Sequence, residues 1–104
     1  MIARQRCGWT PRERATEYLT LFATLVQAKL SAVPGYRRSL VLMRVVGAET
    51  EIVTITFFDR LEDIVAFASD RYETANVSPE ARAVLSHFDE TVSHFEVALE
   101  AEAE

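Results

Sequence analysis

Apolar residues follow two rhythms along this chain, and the switches between them mark its elements. From Ile52 to Phe58 every residue is β-branched or aromatic, which suits a strand covered on both faces. Alternation places Val53, Ile55 and Phe57 on one side and Ile52, Thr54, Thr56 and Phe58 on the other. Two hydroxyls thus interrupt an apolar face, where a cleft or a partner belongs. Asp59 ends the strand and, with Glu62 three residues later, predicts a capping box ahead of Leu61, Ile64, Val65 and Ala68, a helix over about residues 60–69.

The same reading extends in both directions. Ile2 to Cys7 predicts a first strand with Ala3, Gln5 and Cys7 on one face and Ile2, Arg4 and Arg6 on the other. Thr10-Pro11-Arg12-Glu13 predicts a helix start, with threonine as cap and proline at the first position. Ala15, Tyr18, Leu19, Phe22, Leu25, Val26, Lys29 and Leu30 then keep helical spacing up to Val33, where Pro34 and Gly35 end it. Tyr36 to Val46 predicts a strand that pairs through Gly47-Ala48 with Thr50–Phe58 as an antiparallel hairpin. Arg71, Tyr72 and Asn76 interrupt any clean period between the second helix and the next start, Ser78-Pro79-Glu80, which opens a short third helix. Glu90–Leu99 alternates as a last strand before an Ala/Glu tail, so residues 1–97 form one domain and 98–104 an acidic tail expected to fray.

Strand, helix, two strands, helix, strand folds most simply as an α+β, ferredoxin-like βαββαβ unit: a four-stranded antiparallel sheet with both main helices on one face. The other face is then bare in a monomer. With 49% hydrophobic residues in 104, one thin sheet layer leaves apolar surface uncovered, which predicts oligomerisation.

Eleven basic residues against sixteen acidic ones give a net charge of −5, and the arginines are scattered among acids, so no phosphate-binding face and no nucleic-acid partner is expected. No run approaches the ~18 apolar residues of a membrane span, and Met1–Trp9 lacks the apolar stretch of a signal peptide. Cys7 is the single cysteine, which rules out an internal disulfide and makes a reducing, cytoplasmic setting the expectation. Phosphate loops, nucleophile triads and metal-ligand spacings are missing from the sequence, which disfavours hydrolases, kinases and zinc enzymes.

Several segments carry a resemblance. The opening MIARQRCGWT, the VPGYR turn, the VTITFFD strand end and the closing YETANVSPEARAVLSHFDETVSHFEV resemble small members of the antibiotic biosynthesis monooxygenase family, in the dimeric α/β-barrel superfamily. The resemblance covers most of residues 1–97. It implies a ferredoxin-like protomer that pairs sheet to sheet with a second copy, and a pocket in each protomer between sheet and helices. Better-studied members oxidise phenols or quinones with neither metal nor flavin, and proteins of similar fold degrade haem. Two positions depart from the pattern: Phe58 stands where such members often carry Trp at the end of the third strand, and Phe67 where they carry His or Trp in the second helix. The second departure removes a haem ligand.

The resemblance implies a homodimer without cofactor or metal, acting on a small aromatic substrate in a pocket lined by Gln5, Cys7, Thr54, Phe58, Phe67, Tyr72 and His94. His94 is the candidate general base for a phenolic proton; the plainer reading is a sheet histidine at the dimer seam. Cys7 reads either as a thiol activated by Arg4 or Arg6 or as a small buried hydrophobe. Trp9 and Tyr72 read as pocket mouth or core lid, and Arg37 and Arg38 as an anion clamp or a salt-bridged strand end. A non-catalytic dimer of the same fold that binds a small ligand is the alternative, favoured by aromatic walls without a titratable group.

Overall fold

The computed structural model describes residues 1–69, 71–75 and 77–103; the interruption expected at Asn76 lies outside them. Strand β1 runs over Ile2–Pro11, and a helical run follows: a short 3-10 turn at Arg12–Arg14, α1 at Ala15–Leu21, a π turn at Phe22–Val26 and α2 at Gln27–Ser31. Then come β2 (Tyr36–Val46), β3 (Glu49–Phe58), α3 (Leu61–Ala68), α4 (Pro79–Val84) and two short strands, β4 (His87–Phe88) and β5 (Ser93–Glu96). The sheet is antiparallel in the order β2-β3-β1, with β4 and β5 both on the far side of β1. The helices cover one face, as expected of a ferredoxin-like unit. None of the described helices is long and apolar enough to cross a membrane.

The hairpin forms as the spacing predicts, with Val46 opposite Glu49 and Gly47 at φ +61°, a conformation that glycine adopts without a Cβ clash. Three other expectations shift. Thr10 is not a helix cap: β1 continues through it, and its fully buried hydroxyl donates to the Val84 carbonyl at 2.8 Å. Asp59 is not the cap of α3 either. Asp63 accepts from the Arg60 N–H at 3.1 Å, while Asp59 takes the Arg37 guanidinium; the salt-bridged strand end is the reading that holds for Arg37. Ser78 does cap α4, accepting from the Ala81 N–H at 3.2 Å.

The last strand is shorter than predicted and split. The Asp89 N–H still donates to the Cys7 carbonyl of β1 at 3.0 Å. Residues 90–92 leave the regular ladder because the loop after α3 claims their backbone groups: the Ala75 N–H donates to the Glu90 carbonyl at 2.7 Å and the Val92 N–H to the Glu73 carbonyl at 2.9 Å. Residues 98–103 carry no regular structure.

Register fixes what each face holds. On the helix-covered face lie Ile2, Arg4, Arg6 and Thr10 of β1, Thr50, Ile52, Thr54, Thr56 and Phe58 of β3, and Val41 and Met43 of β2. Phe22, Leu30, Phe58, Ile64 and Ala68 form the main core there. The bare face carries Ala3, Gln5, Cys7, Val53, Ile55 and Phe57, with Leu40 and Leu42 on β2 and Phe95 on β5 well exposed. Arg38 lies over the Phe57 ring at 4.6 Å.

Candidate functional site

A cleft of about 310 Å³ opens between the helical run and the sheet, walled by Tyr18, Leu21, Phe22, Leu25, Val26 and Phe67, with Lys29, Ser78 and Glu80 towards its rim. Adjoining it is a throat of about 20 Å³, bounded by Arg4, Arg6, Thr54, Thr56, Phe22, Val26, Leu30 and Phe67, room for about one water. Both spaces share Arg6, Phe22, Val26 and Phe67.

The local structure explains the shape. At Phe22–Val26 the helix widens by one residue per turn, the Gln27 N–H reaching back to the Phe22 carbonyl. Such π turns re-aim side chains and recur at functional sites. Here the turn supplies Phe22, Leu25 and Val26 to the wall. The floor is two cross-strand rows: Arg4 stands opposite Thr56 on one side and His94 on the other, and Arg6 stands opposite Thr54.

Two inward guanidiniums make the site electrostatically unusual. Arg4 is 5% exposed; its Nη2 donates to the Tyr72 carbonyl at 3.3 Å, and its buried Nε has no partner among the described residues. Burial, and after it the neighbouring Arg6 charge, pulls its pKa down to about 10. Arg6 donates from Nη2 to the Tyr18 hydroxyl at 3.2 Å.

The seven residues expected to line one pocket occupy four places. Thr54 and Phe67 line the cleft. Phe58 is wholly buried beneath it, with its ring 6.1 Å from that of Phe67. Tyr72 and His94 instead border a surface depression at the sheet edge, with Ile2, Leu61, Glu73, Phe95 and Glu96. Gln5 and Cys7 sit on the bare face, the Gln5 amide 3.9 Å from the Cys7 sulfur, because both alternate out of phase with Arg4 and Arg6. Trp9 is also on that face, stacked on His87 at 4.5 Å. The residues that reasoning from sequence missed are Arg4, Arg6, Tyr18, Phe22, Val26 and Leu30; the available signal was a pair of arginines on the inner side of what proves to be a central strand.

His94 has a half-buried ring, edge-on to Tyr72 at 5.3 Å, with Nε2 buried and unpartnered among the described residues. Burial first, then the charge of Arg4, holds its pKa below the usual 6.5, while Glu73 pulls the other way. A base whose pKa falls on folding binds fewer protons folded than unfolded, so its neutral form contributes fully above pH 6.5 and stability is lost as pH falls through that value. His94→Gln is therefore expected to flatten the acid side of the unfolding free energy below about pH 6.5. Urea titrations at a series of pH values check this, and an unchanged slope would remove the burial account.

No family model and no curated protein matches the chain by sequence. Among solved structures it is similar to an MhuD variant with two manganese protoporphyrin IX molecules bound per active site: TM-score 0.70, 20% identity, over 99% of this chain and 100% of that one. It is also similar to a protein named as a putative antibiotic biosynthesis monooxygenase from Bacillus cereus: TM-score 0.64, 12% identity, over 99% and 96%. The chain has the fold of the antibiotic biosynthesis monooxygenases.

Within this monooxygenase fold, the porphyrin of the MhuD structure invites a test against the residues of the cleft. Haem iron is commonly held by imidazole or thiolate, and neither His87, His94 nor Cys7 lines the cleft. Its one phenol, Tyr18, is 4% exposed and already accepts from Arg6. The donor set does not fit a haem.

Proposed function

We propose that the protein is a monooxygenase of the antibiotic biosynthesis monooxygenase type that oxidises a small aromatic substrate in the helix–sheet cleft without a cofactor. The carrying observation is the cleft, whose aromatic and aliphatic walls close on two guanidiniums and two threonine hydroxyls. A phenol held there ionises readily, because a nearby positive charge favours the phenolate. The phenolate is the electron donor: phenol plus O₂ gives quinone plus water, one oxygen atom entering the ring and the other leaving as water with the hydroxyl and ring hydrogens. No outside reductant is needed. In this reading the arginines drive ionisation rather than His94, which borders a different depression. A panel of phenols, hydroquinones and anthrones under oxygen tests it. One O₂ consumed per quinone formed is the expected result, and arenes that bind without oxygen uptake would sink it.

That failing outcome is the signature of a second reading, a non-catalytic ligand-binding protein of the same fold. It is favoured by one observation: neither histidine of the chain lines the cleft.

Either protein is a homodimer through its bare face in this proposal. Leu40, Leu42 and Phe95 are 39%, 47% and 54% exposed on that face, beside Val53 and Ile55, and a second copy buries all of them. Leu42→Glu is expected to turn a dimer into a monomer in sedimentation equilibrium, since it places charge in the middle of an apolar contact. A variant that sediments like the parent would displace the interface from this face.

A further inference from the structure

We infer that Arg4 and Arg6 form the binding site for a carboxylate carried by a flat, apolar ligand seated in the cleft. The inference rests on the cleft being the ligand site and adds an acid group to the substrate.

Of the chain's eight other arginines, four have a carboxylate partner, and the other four, Arg12, Arg38, Arg71 and Arg82, are exposed and form no salt bridge among the described residues. Arg14, Arg37, Arg44 and Arg60 each have a carboxylate, from Glu17, Asp59, Glu51 and Asp63. Those guanidiniums are at the surface, where pairing matters least. Arg4 and Arg6 are turned inward, and among the described residues neither forms a salt bridge. Two residues apart on one strand face, they stand roughly 7 Å from one another. Among the described residues, the groups bounding the throat around them are apolar or hydroxyl-bearing, with no carboxylate.

Among the described residues, the chain thus leaves two adjacent inward cations without a counter-charge. Burying a charge unpaired is costly, and placing a like charge beside it adds to the cost. Such an arrangement is stable in use when a ligand brings the missing charge. The sign must be negative. The unpartnered Nε of Arg4 belongs to the planar edge of a guanidinium that matches a carboxylate with two parallel hydrogen bonds. Thr54 and Thr56, directly across from Arg6 and Arg4, offer hydroxyls to the remaining lone pairs. Beyond that polar end, Phe22, Val26, Leu30 and Phe67 present apolar surface to the ligand's ring. One carboxylate against two guanidiniums leaves a net positive charge, which still favours a phenolate on that ring. The ligand is an aromatic acid with its carboxylate innermost.

Calorimetric titration with 2-naphthoate and with 2-naphthamide, the same ring without the charge, tests this. The acid is expected to bind at least about tenfold more tightly than the amide, the worth of one charged hydrogen bond. In Arg4→Met and in Arg6→Gln that preference should shrink to within about threefold while the amide still binds. Equal affinities for acid and amide in the parent overturn the carboxylate site and leave the cleft reading standing; failure of both to bind overturns the two together. A second measurement needs no ligand. Arg4→Met removes an unpaired buried charge and keeps the side-chain bulk, so the unliganded variant should melt at a higher temperature than the parent. A lower melting temperature would make Arg4 a structural residue and overturn the inference.

Discussion

Phe58→Ala is expected to lower the free energy of unfolding by about 4 kcal/mol, which is most of the stability of a marginal domain of this size. The ring is fully buried at the end of β3, with Tyr36 at 5.9 Å and Phe67 at 6.1 Å between ring centroids. It shares its core with Phe22, Leu30, Ile64 and Ala68, so both helical layers close on it. Truncation removes its burial and leaves a void that a β-strand on one side and two helices on the other cannot collapse to fill. Phe58→Leu keeps most of the volume and should cost only about 1–1.5 kcal/mol. Urea unfolding of the pair is the check: a loss below about 1 kcal/mol for the alanine variant would mean that the core relaxes around the site. The effect extends to the cleft, because Phe67 leans on this ring. Arene binding by Phe58→Leu should therefore weaken less than by Phe58→Ala.

Gly35→Ala is expected to cost about 3 kcal/mol for a different reason. A Cβ at position 35 would lie 1.8 Å from Asp63 Oδ2 and 2.1 Å from its Cγ. No contact of that length survives, and Asp63 has nowhere easy to go. It is 8% exposed, and its carboxylate accepts the Arg60 N–H at the start of α3. Backbone movement is resisted as well, since the Gly35 carbonyl accepts from Asp59 at 2.9 Å, beside the Tyr36–Phe58 pair. The variant must give up the cap, worth about 1 kcal/mol, and also strain the turn. Asp63→Ala by itself should lose only the cap. The double variant should then be more stable than Gly35→Ala, with a coupling of at least about 1 kcal/mol. Additive losses in the denaturation cycle would show that the glycine is needed for something other than this close approach.

These two sites also show which signals are local. Gly35 and the end of the first helical run were legible, because Pro34-Gly35 stops a helix whatever surrounds it. Its packing partner was not: Asp63 lies 28 positions away, and the capping signal from Asp59 and Glu62 is displaced by one residue once Arg37 takes Asp59. Thr10 carried a good cap signal and proved to be a strand residue, because pairing with Thr50 and a buried bond to Val84 outweigh one helix cap. The last strand was read as continuous, and residues 90–92 are drawn off it by backbone bonds to the loop after α3.

By itself the sequence determined the order of elements, the hairpin at Gly47, the cap at Ser78 and the grouping of side chains within each strand. All of these depend on periods of 2 or 3.6 residues and on turn chemistry, which are properties of neighbouring residues. It placed Arg4 with Arg6, Gln5 with Cys7 and Thr54 with Thr56. Only the tertiary structure decided that the arginines share a face with the threonines while Gln5 and Cys7 look the other way. That is a question of register between strands about fifty residues apart, and a slip of one residue inverts it. The position of His94 at a sheet edge outside the cleft, and the two inward guanidiniums within reach of it, follow from the same pairing.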